Sequence, residues 1–202
     1  MSGSLVGRVI RPMVLLVVGT IIAQTTVSIA AAPAPASGST QTRSASCQAM
    51  NFHPIDRVTG FRIDGGTLLY RWETTTNTET NAGSFVCDPQ LPHRAVVTKV
   101  QFTLKDDSEN ARLQYCGLFR SSLRAGSAGT YQALAQVSTT GMTERPGIVR
   151  QSDSIITHAT VDTTDWAYWL QCRIEFLGFL IGTGDVGIYG AEVTYTISSA
   201  NG

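Results

Sequence analysis

A two-residue period constrains this chain more than any other feature. In Trp166–Phe176, residues Trp166, Tyr168, Leu170, Cys172, Ile174 and Phe176 fall on one side of an extended backbone, and Trp169, Gln171, Arg173 and Glu175 fall on the other. Side chains alternate across a strand, so such a run buries one face and wets its opposite. Val96–Leu104 repeats the pattern, with Val96, Val100, Phe102 and Leu104 expected inside and Val97, Lys99, Gln101 and Thr103 expected on the opposite face. Tyr189–Ile197 does so again, with Tyr189, Ala191, Val193, Tyr195 and Ile197 inward and Glu192, Thr194 and Thr196 outward. Weaker runs cover Phe61–Ile63, Leu68–Trp72, Ser84–Cys87, Arg112–Phe119, Tyr131–Val137 and Ile155–Val161, and no helical stripe is found from Phe52 onward. Turn chemistry separates the runs at Asp64–Gly66, Asp106–Asn110, Gly126–Gly129 and Gly182–Asp185. The expected fold is all-β: an antiparallel two-sheet sandwich, jelly-roll-like, with about nine strands. An immunoglobulin-like topology ranks second because its Cys…Trp…Cys spacing is missing. One conflict stands out: Leu113 and Tyr115 set a parity that would turn Cys116 away from the core, and a bulge at Gly117 or Gly190 would repair it.

Ahead of the domain, Arg8 and Arg11 precede an apolar run from Met13 to Ala23, and small residues follow at Ser28, Ala30 and Ala32. That layout reads as a secretory signal peptide over residues 1–30. Gln24, Thr25 and Thr26 end the run too soon for a bilayer span of about 20 residues. Residues 31–46, rich in Ala, Pro, Ser and Thr, read as a flexible linker, and 47–202 as the sandwich domain. Export implies a secreted or extracellular protein, retained at the cell surface or released, in a compartment where disulfides persist. Of three possible pairings of Cys47, Cys87, Cys116 and Cys172, the favoured one is Cys47 with Cys87 and Cys116 with Cys172. The first bond would pin the segment after the linker, and the second would join two strong strand patterns. No C-x-x-C spacing and no histidine at ligand distance points to zinc.

Three stretches carry a family resemblance: Phe52-His-Pro54, Phe85-Val-Cys-Asp-Pro-Gln-Leu-Pro-His-Arg-Ala-Val-Val-Thr-Lys-Val100 and Ile188-Tyr-Gly-Ala-Glu-Val-Thr-Tyr-Thr196. Together they resemble a group of uncharacterised secreted bacterial proteins. In that group a Cys-Pro-x-x-Leu-Pro-x-Gly-Ala segment leads into a long strand, and a Tyr-Gly-x-x-Val-x-Tyr-Thr strand ends the chain. Asp88 intervenes after Cys87, and Arg94 replaces the glycine before Ala95. The likeness implies export and a sandwich fold; it implies no activity.

Composition narrows the function classes. Fifteen basic residues balance fifteen acidic ones, so the clustered positive charge that phosphate binding needs is absent and nucleic acid is not an expected partner. Gly182-Thr-Gly-Asp-Val-Gly187 matches a dinucleotide fingerprint by letter, but a strand follows it where a helix is required. His53 and His93 neighbour prolines and read as turn residues. His158, near Ser152, Asp153, Ser154 and Asp162, is the one hydrolase candidate, without a nucleophile elbow or a zinc motif. No catalytic residue, metal site or required cofactor is assigned; clustered oxygens at Asp106, Asp107 and Glu109 offer a calcium alternative without EF-hand spacing. Trp72, Tyr131 and Trp169 are the candidate ligand-binding residues, because flat rings on a sheet face stack on sugars or anchor a protein partner. The expectation is therefore a non-enzymatic secreted or cell-surface module for extracellular interaction or assembly, with protein, polysaccharide or self-association as partner. A carbohydrate-binding domain is the alternative, and a secreted hydrolase ranks third.

Overall fold

Among the described residues, eleven strands form two antiparallel sheets. The computed structural model describes residues 39–55, 61–65, 67–70, 82–107, 111–124, 126, 131–139, 147–176 and 186–198. The signal-peptide assignment at 1–30 and the first part of the expected linker lie outside those residues. The strands are β1 (Thr40–Gln48), β2 (His53–Pro54), β3 (Phe61–Asp64), β4 (Thr67–Tyr70), β5 (Ala82–Cys87), β6 (Val96–Asp106), β7 (Ala111–Ser122), β8 (Tyr131–Val137), β9 (Ile148–Asp153), β10 (Trp166–Phe176) and β11 (Val186–Ser198). One sheet runs β3-β4-β11-β6-β9, with β1 added along the same edge of β11 beyond β4; the other runs β2-β5-β10-β7-β8. The eight long strands thus alternate as β1-β11-β6-β9 facing β5-β10-β7-β8, which is the double Greek-key order of a jelly roll.

Apolar side chains of both sheets meet between the layers. Phe85, Phe102, Leu104, Leu113, Leu118, Leu170, Ile174, Ile188 and Val193 are all buried there. Cys47 is bonded to Cys87, joining β1 of one sheet to β5 of the other, and Cys116 is bonded to Cys172 across the neighbouring strands β7 and β10. Closing loops with sequence separations of 40 and 56 residues stabilises by roughly 4 kcal/mol each in the chain-entropy account.

Four departures from the sequence reading have physical causes. The linker assigned to 31–46 ends early: from Thr40 the chain is strand β1, paired with β11 from Thr40↔Ser198 to Gln48↔Gly190. Backbone hydrogen bonds hold this polar segment, and they leave no apolar signature to read. The strand assigned to Ile155–Val161 is an irregular connection with a turn at Thr157 and His158, touching β6 only through the bridge Val96↔Thr160; the paired strand is β9, one turn earlier. His53, expected in a turn, pairs with Val86 as part of β2. Parity also slips at bulges. Thr98 is skipped between Thr194↔Lys99 and Tyr195↔Val97, so Val97 is buried and Val96 exposed, the reverse of the alternation count. Tyr189 is skipped between Ile188↔Leu104 and Gly190↔Thr103, which buries Ile188 in its place and confirms a bulge beside Gly190. The Cys116 conflict is resolved at Gln114, not at Gly117: register passes from Arg173↔Tyr115 to Ile174↔Leu113, so Leu113 and Cys116 both face inward.

Because β1 is held by pairing and by Cys47, replacing Cys47 and Cys87 together by Ala is expected to cost about 2–4 kcal/mol and to remove hydrogen-exchange protection from Thr40–Ser46 while β6 and β10 stay protected. Exchange mass spectrometry of the variant measures both, and non-reduced peptide mapping of the parent protein checks the pairing.

Candidate functional site

The outward face of the five-stranded sheet carries a row of aromatic rings. Leu170 and Cys172 point into the core, so Trp169 and Gln171 point away from it. On β7 the bulge at Gln114 restores alternation: Cys116 and Leu118 face inward, Tyr115, Gly117 and Phe119 outward. Trp169 lies directly across from Phe119 in the ladder, and Phe119 is across from Ala133, with Tyr131 two residues further along β8 on the same face. The rings of Phe119 and Trp169 are stacked, with centroids 6.0 Å apart and planes 19° from parallel. Tyr131 and Tyr115 flank Phe119 at 6.1 Å and 5.8 Å.

Phe119 is the support of this row. It is only 2% exposed although it stands outside the inter-sheet core. Gly117 makes room for it: a Cβ at that position would meet the Ala135 carbonyl oxygen at 2.5 Å and Phe119 Cε2 at 3.0 Å. An aromatic ring covering a neighbouring glycine compensates for the missing side chain in a sheet. Tyr131, by contrast, is 66% exposed, and Trp169 is half-buried. Polar groups fix the orientation: Trp169 Nε1 donates to Gln171 Oε1 at 3.0 Å, and Gln171 Nε2 donates to the Tyr115 hydroxyl at 3.0 Å. Farther along the same face, Arg112 donates to Glu175 Oε2 at 2.7 Å. Such an arrangement offers a rigid apolar platform edged by amide, hydroxyl and ionic groups, which suits recognition of a flat, partly polar ring.

Of the three ring residues expected from the sequence, Tyr131 and Trp169 come together on this face; Trp72 lies outside the described residues. Phe119, Tyr115 and Gln171 were missed. A strict period through Leu113 and Tyr115 sends Phe119 into the core, and only the inserted residue at Gln114 reverses that. Trp166, at the other end of β10, packs inward with Arg120 at 4.0 Å over its ring, and Arg120 is satisfied by two hydrogen bonds to Gln132 Oε1.

Of the remaining candidates, His93 Nδ1 lies 3.8 Å from Asp162 Oδ1, both side chains partly exposed, with the Thr163 hydroxyl 3.3 Å from the same nitrogen. His158 occupies a turn at φ 49° and is exposed. The two acids nearest it in sequence each accept backbone N–H donors: Asp153 from Ile155 in its own turn and from Gln136 of β8, Asp162 from Thr164. His93 accepts from the Thr163 N–H at Nδ1, 3.2 Å away. The Gly182–Gly187 run leads into β11, and its first four residues lie outside the described ones. Asp107 pairs with Lys105 at 3.5 Å, Glu109 is not among the described residues, and within those residues no three His, Cys, Asp or Glu side chains cluster to hold a metal ion. Burial raises the Asp106 carboxyl above its ordinary range, a hydrogen bond with Thr139 opposes that shift, and the neighbouring charge of Asp107 adds to it. At the end of the β7–β10 pair, Arg124 binds Asp165 and holds its carboxyl below the usual range.

Phe119→Ala is expected to destabilise by about 3 kcal/mol as a buried ring is lost, and Gly117→Ala by about 1–3 kcal/mol as its Cβ presses on the Ala135 carbonyl, whereas Tyr131→Ala leaves stability nearly unchanged; urea unfolding of the three variants ranks them. The raised Asp106 value has a defined sign: its contribution to stability is full below the unfolded Asp range and is lost as pH rises through the folded value. Asp106→Asn should therefore flatten the fall in melting temperature across that window, as read from thermal melts at a series of pH values.

No family model matches the sequence and no curated protein matches it. Among solved structures, it is similar to the low-affinity xylan-binding module CBM86 of Roseburia intestinalis, with 9% identity, a TM-score of 0.38, and 76% of this chain and 96% of that one covered. It is similar to the carbohydrate-binding module CBM29_1 of Piromyces equi at 10% identity and TM-score 0.38, covering 81% and 94%. A third likeness is to the cleaved adhesin domain K1 of Lys-gingipain from Porphyromonas gingivalis, at 10% identity and TM-score 0.33, covering 81% and 100%. Likenesses of this depth carry no argument about function, and the site rests on its own residues.

Proposed function

We propose that this chain is a non-enzymatic extracellular binding module whose outer aromatic row receives the sugar rings of a polysaccharide. One observation supports the reading above others: Phe119, buried on the wrong side of its sheet for the core, props Trp169 and leaves Tyr131 at its flank projecting into solvent. Apolar groups are ordinarily gathered between the layers; here Phe119 both covers Gly117 and carries the Trp169 ring on the outer face. Sugar rings present C–H faces that pack on aromatic planes and hydroxyls that pair with amides and charged groups. Gln171, Tyr115, Arg112 and Glu175 supply those partners on the same face. The two cystines and the signal-like N-terminus support an oxidising, extracellular setting for the module. Membership in the uncharacterised secreted group that the sequence resembles belongs to the same proposal. Among the described residues no helix is long and apolar enough to cross a membrane.

Affinity electrophoresis through gels containing soluble xylan, mannan or β-glucan tests the assignment. The parent protein should be retarded by at least one polysaccharide, and Trp169→Ala or Tyr131→Ala should weaken retention by about tenfold, equivalent to about 1.4 kcal/mol. Retention by none, together with self-association in solution, would favour the assembly role; retention indifferent to both substitutions removes the aromatic row as the site.

A further inference from the structure

The opposite outer face, that of the six-stranded sheet, holds an open groove of about 320 Å³ where β1, β11, β6 and β9 meet. That is the small end of the range of about 300–1,000 Å³ for small-molecule sites. Gln48, Gln101, Thr103, Arg150, Tyr189 and Glu192 line it. Its shape comes from two local devices. The bulge between Ile188 and Gly190 releases Tyr189 from the core alternation, so its ring borders the groove while Ile188 fills the interior. Gly190 then lets β1 close in: a Cβ there would stand 2.8 Å from the Cys47 carbonyl oxygen. The cystine from Cys47 to Cys87 fixes that wall to the second sheet.

The lining chemistry selects the ligand. Two carboxamides, the hydroxyls of Ser46 and Thr103, a guanidinium, a carboxylate and a phenol present both donors and acceptors, and Gln101 Oε1 accepts from Lys99 Nζ at 2.6 Å at the groove edge. Among the described residues neither Arg150 nor Glu192 joins an ion pair. A bare anion would meet Glu192, and a bare cation would meet Arg150. A neutral ring bearing several hydroxyls can pair with both and rest against Tyr189.

We infer that this groove is a second saccharide site, taking one or two pyranose units of a neutral glycan. The groove assignment goes beyond the aromatic row and stands without it. Only its consequence rests on that earlier reading: with both faces occupied, the module links two glycan segments.

The test is an amide NMR titration of the disulfide-intact protein with cellobiose, maltose and xylobiose at millimolar concentration. With at least one of these sugars, the amides of Gln101, Thr103 and Gly190 should shift, and they should shift equally in Trp169→Ala. Tyr189→Ala and Glu192→Gln should each weaken that response by about tenfold; Glu192 is exposed, so its variant keeps the test valid should Tyr189→Ala fold poorly. Added salt should leave the response unchanged, because a neutral sugar carries no charge to be screened. Groove amides that stay still with all three sugars, or that respond undiminished in both groove variants, overturn the site. Failure of the aromatic row is read separately, as unmoved amides at Trp169, Gln171 and Ala133 while the groove amides shift.

Discussion

Strand β1 brings almost no apolar surface to the sandwich, yet without it β11 would present a bare row of N–H and C=O groups from Gly190 to Ser198. An unpaired edge of that length is a template for aggregation. Pairing with β1 satisfies those groups, and pairing with β4 at Leu68 and Leu69 covers the start of the same edge. Polar strands gain little from burial, so β1 would fray if hydrogen bonds alone held it. The Cys47–Cys87 bond supplies the missing anchor by fastening its end to β5 in the opposite sheet. The edges at β8 and β9 are tied to each other: Thr157, just after β9, donates to the Leu134 carbonyl of β8, and Asp153 of β9 accepts from Gln136 of β8.

The sequence disclosed what side-chain burial controls. The cores of β6, β10 and β11, the jelly-roll class and both cystines follow from alternating apolar positions and from the number and placement of cysteines. What it hid is whatever the backbone decides alone. Strand β1 reads as a linker because Thr, Gln, Ser and Arg dominate it, and β9 gives no strong alternation because Val149, Gln151 and Asp153 on its inner side are only partly buried and two of the three are polar. The candidate site was half visible for the same reason. Trp169 and Tyr131 follow from parity on regular stretches, whereas Phe119 and Tyr189 lie beyond inserted residues that no two-residue count can detect.

Those insertions do more than interrupt a pattern. A bulge adds one residue to one strand and so exchanges the faces of everything after it. At Gln114 the exchange turns Cys116 inward to meet Cys172 and turns Phe119 outward to meet Trp169, so the cystine and the aromatic row depend on a single extra residue. At Tyr189 the exchange sends a phenol out and an isoleucine in. Both candidate surfaces are thus built at places where the ladder is deliberately irregular, while the regular stretches between them serve the core.

Glycine plays opposite parts at the two surfaces, and the difference explains their shapes. At Gly117 the space left by the absent Cβ is taken by the Ala135 carbonyl oxygen and, on the same face, by the Phe119 ring and Gln136, which yields a closed floor under Trp169. At Gly190 the space is taken from the side, by the Cys47 carbonyl of β1, and no ring lies across it. The face there stays open between strands that a cystine holds in place. A platform suits a ligand that lies along the sheet, and an open cleft suits one that enters end-on. At both glycines a backbone carbonyl of the neighbouring strand stands closest to the vacated volume, and the geometries differ because an aromatic ring joins it at Gly117 and none does at Gly190.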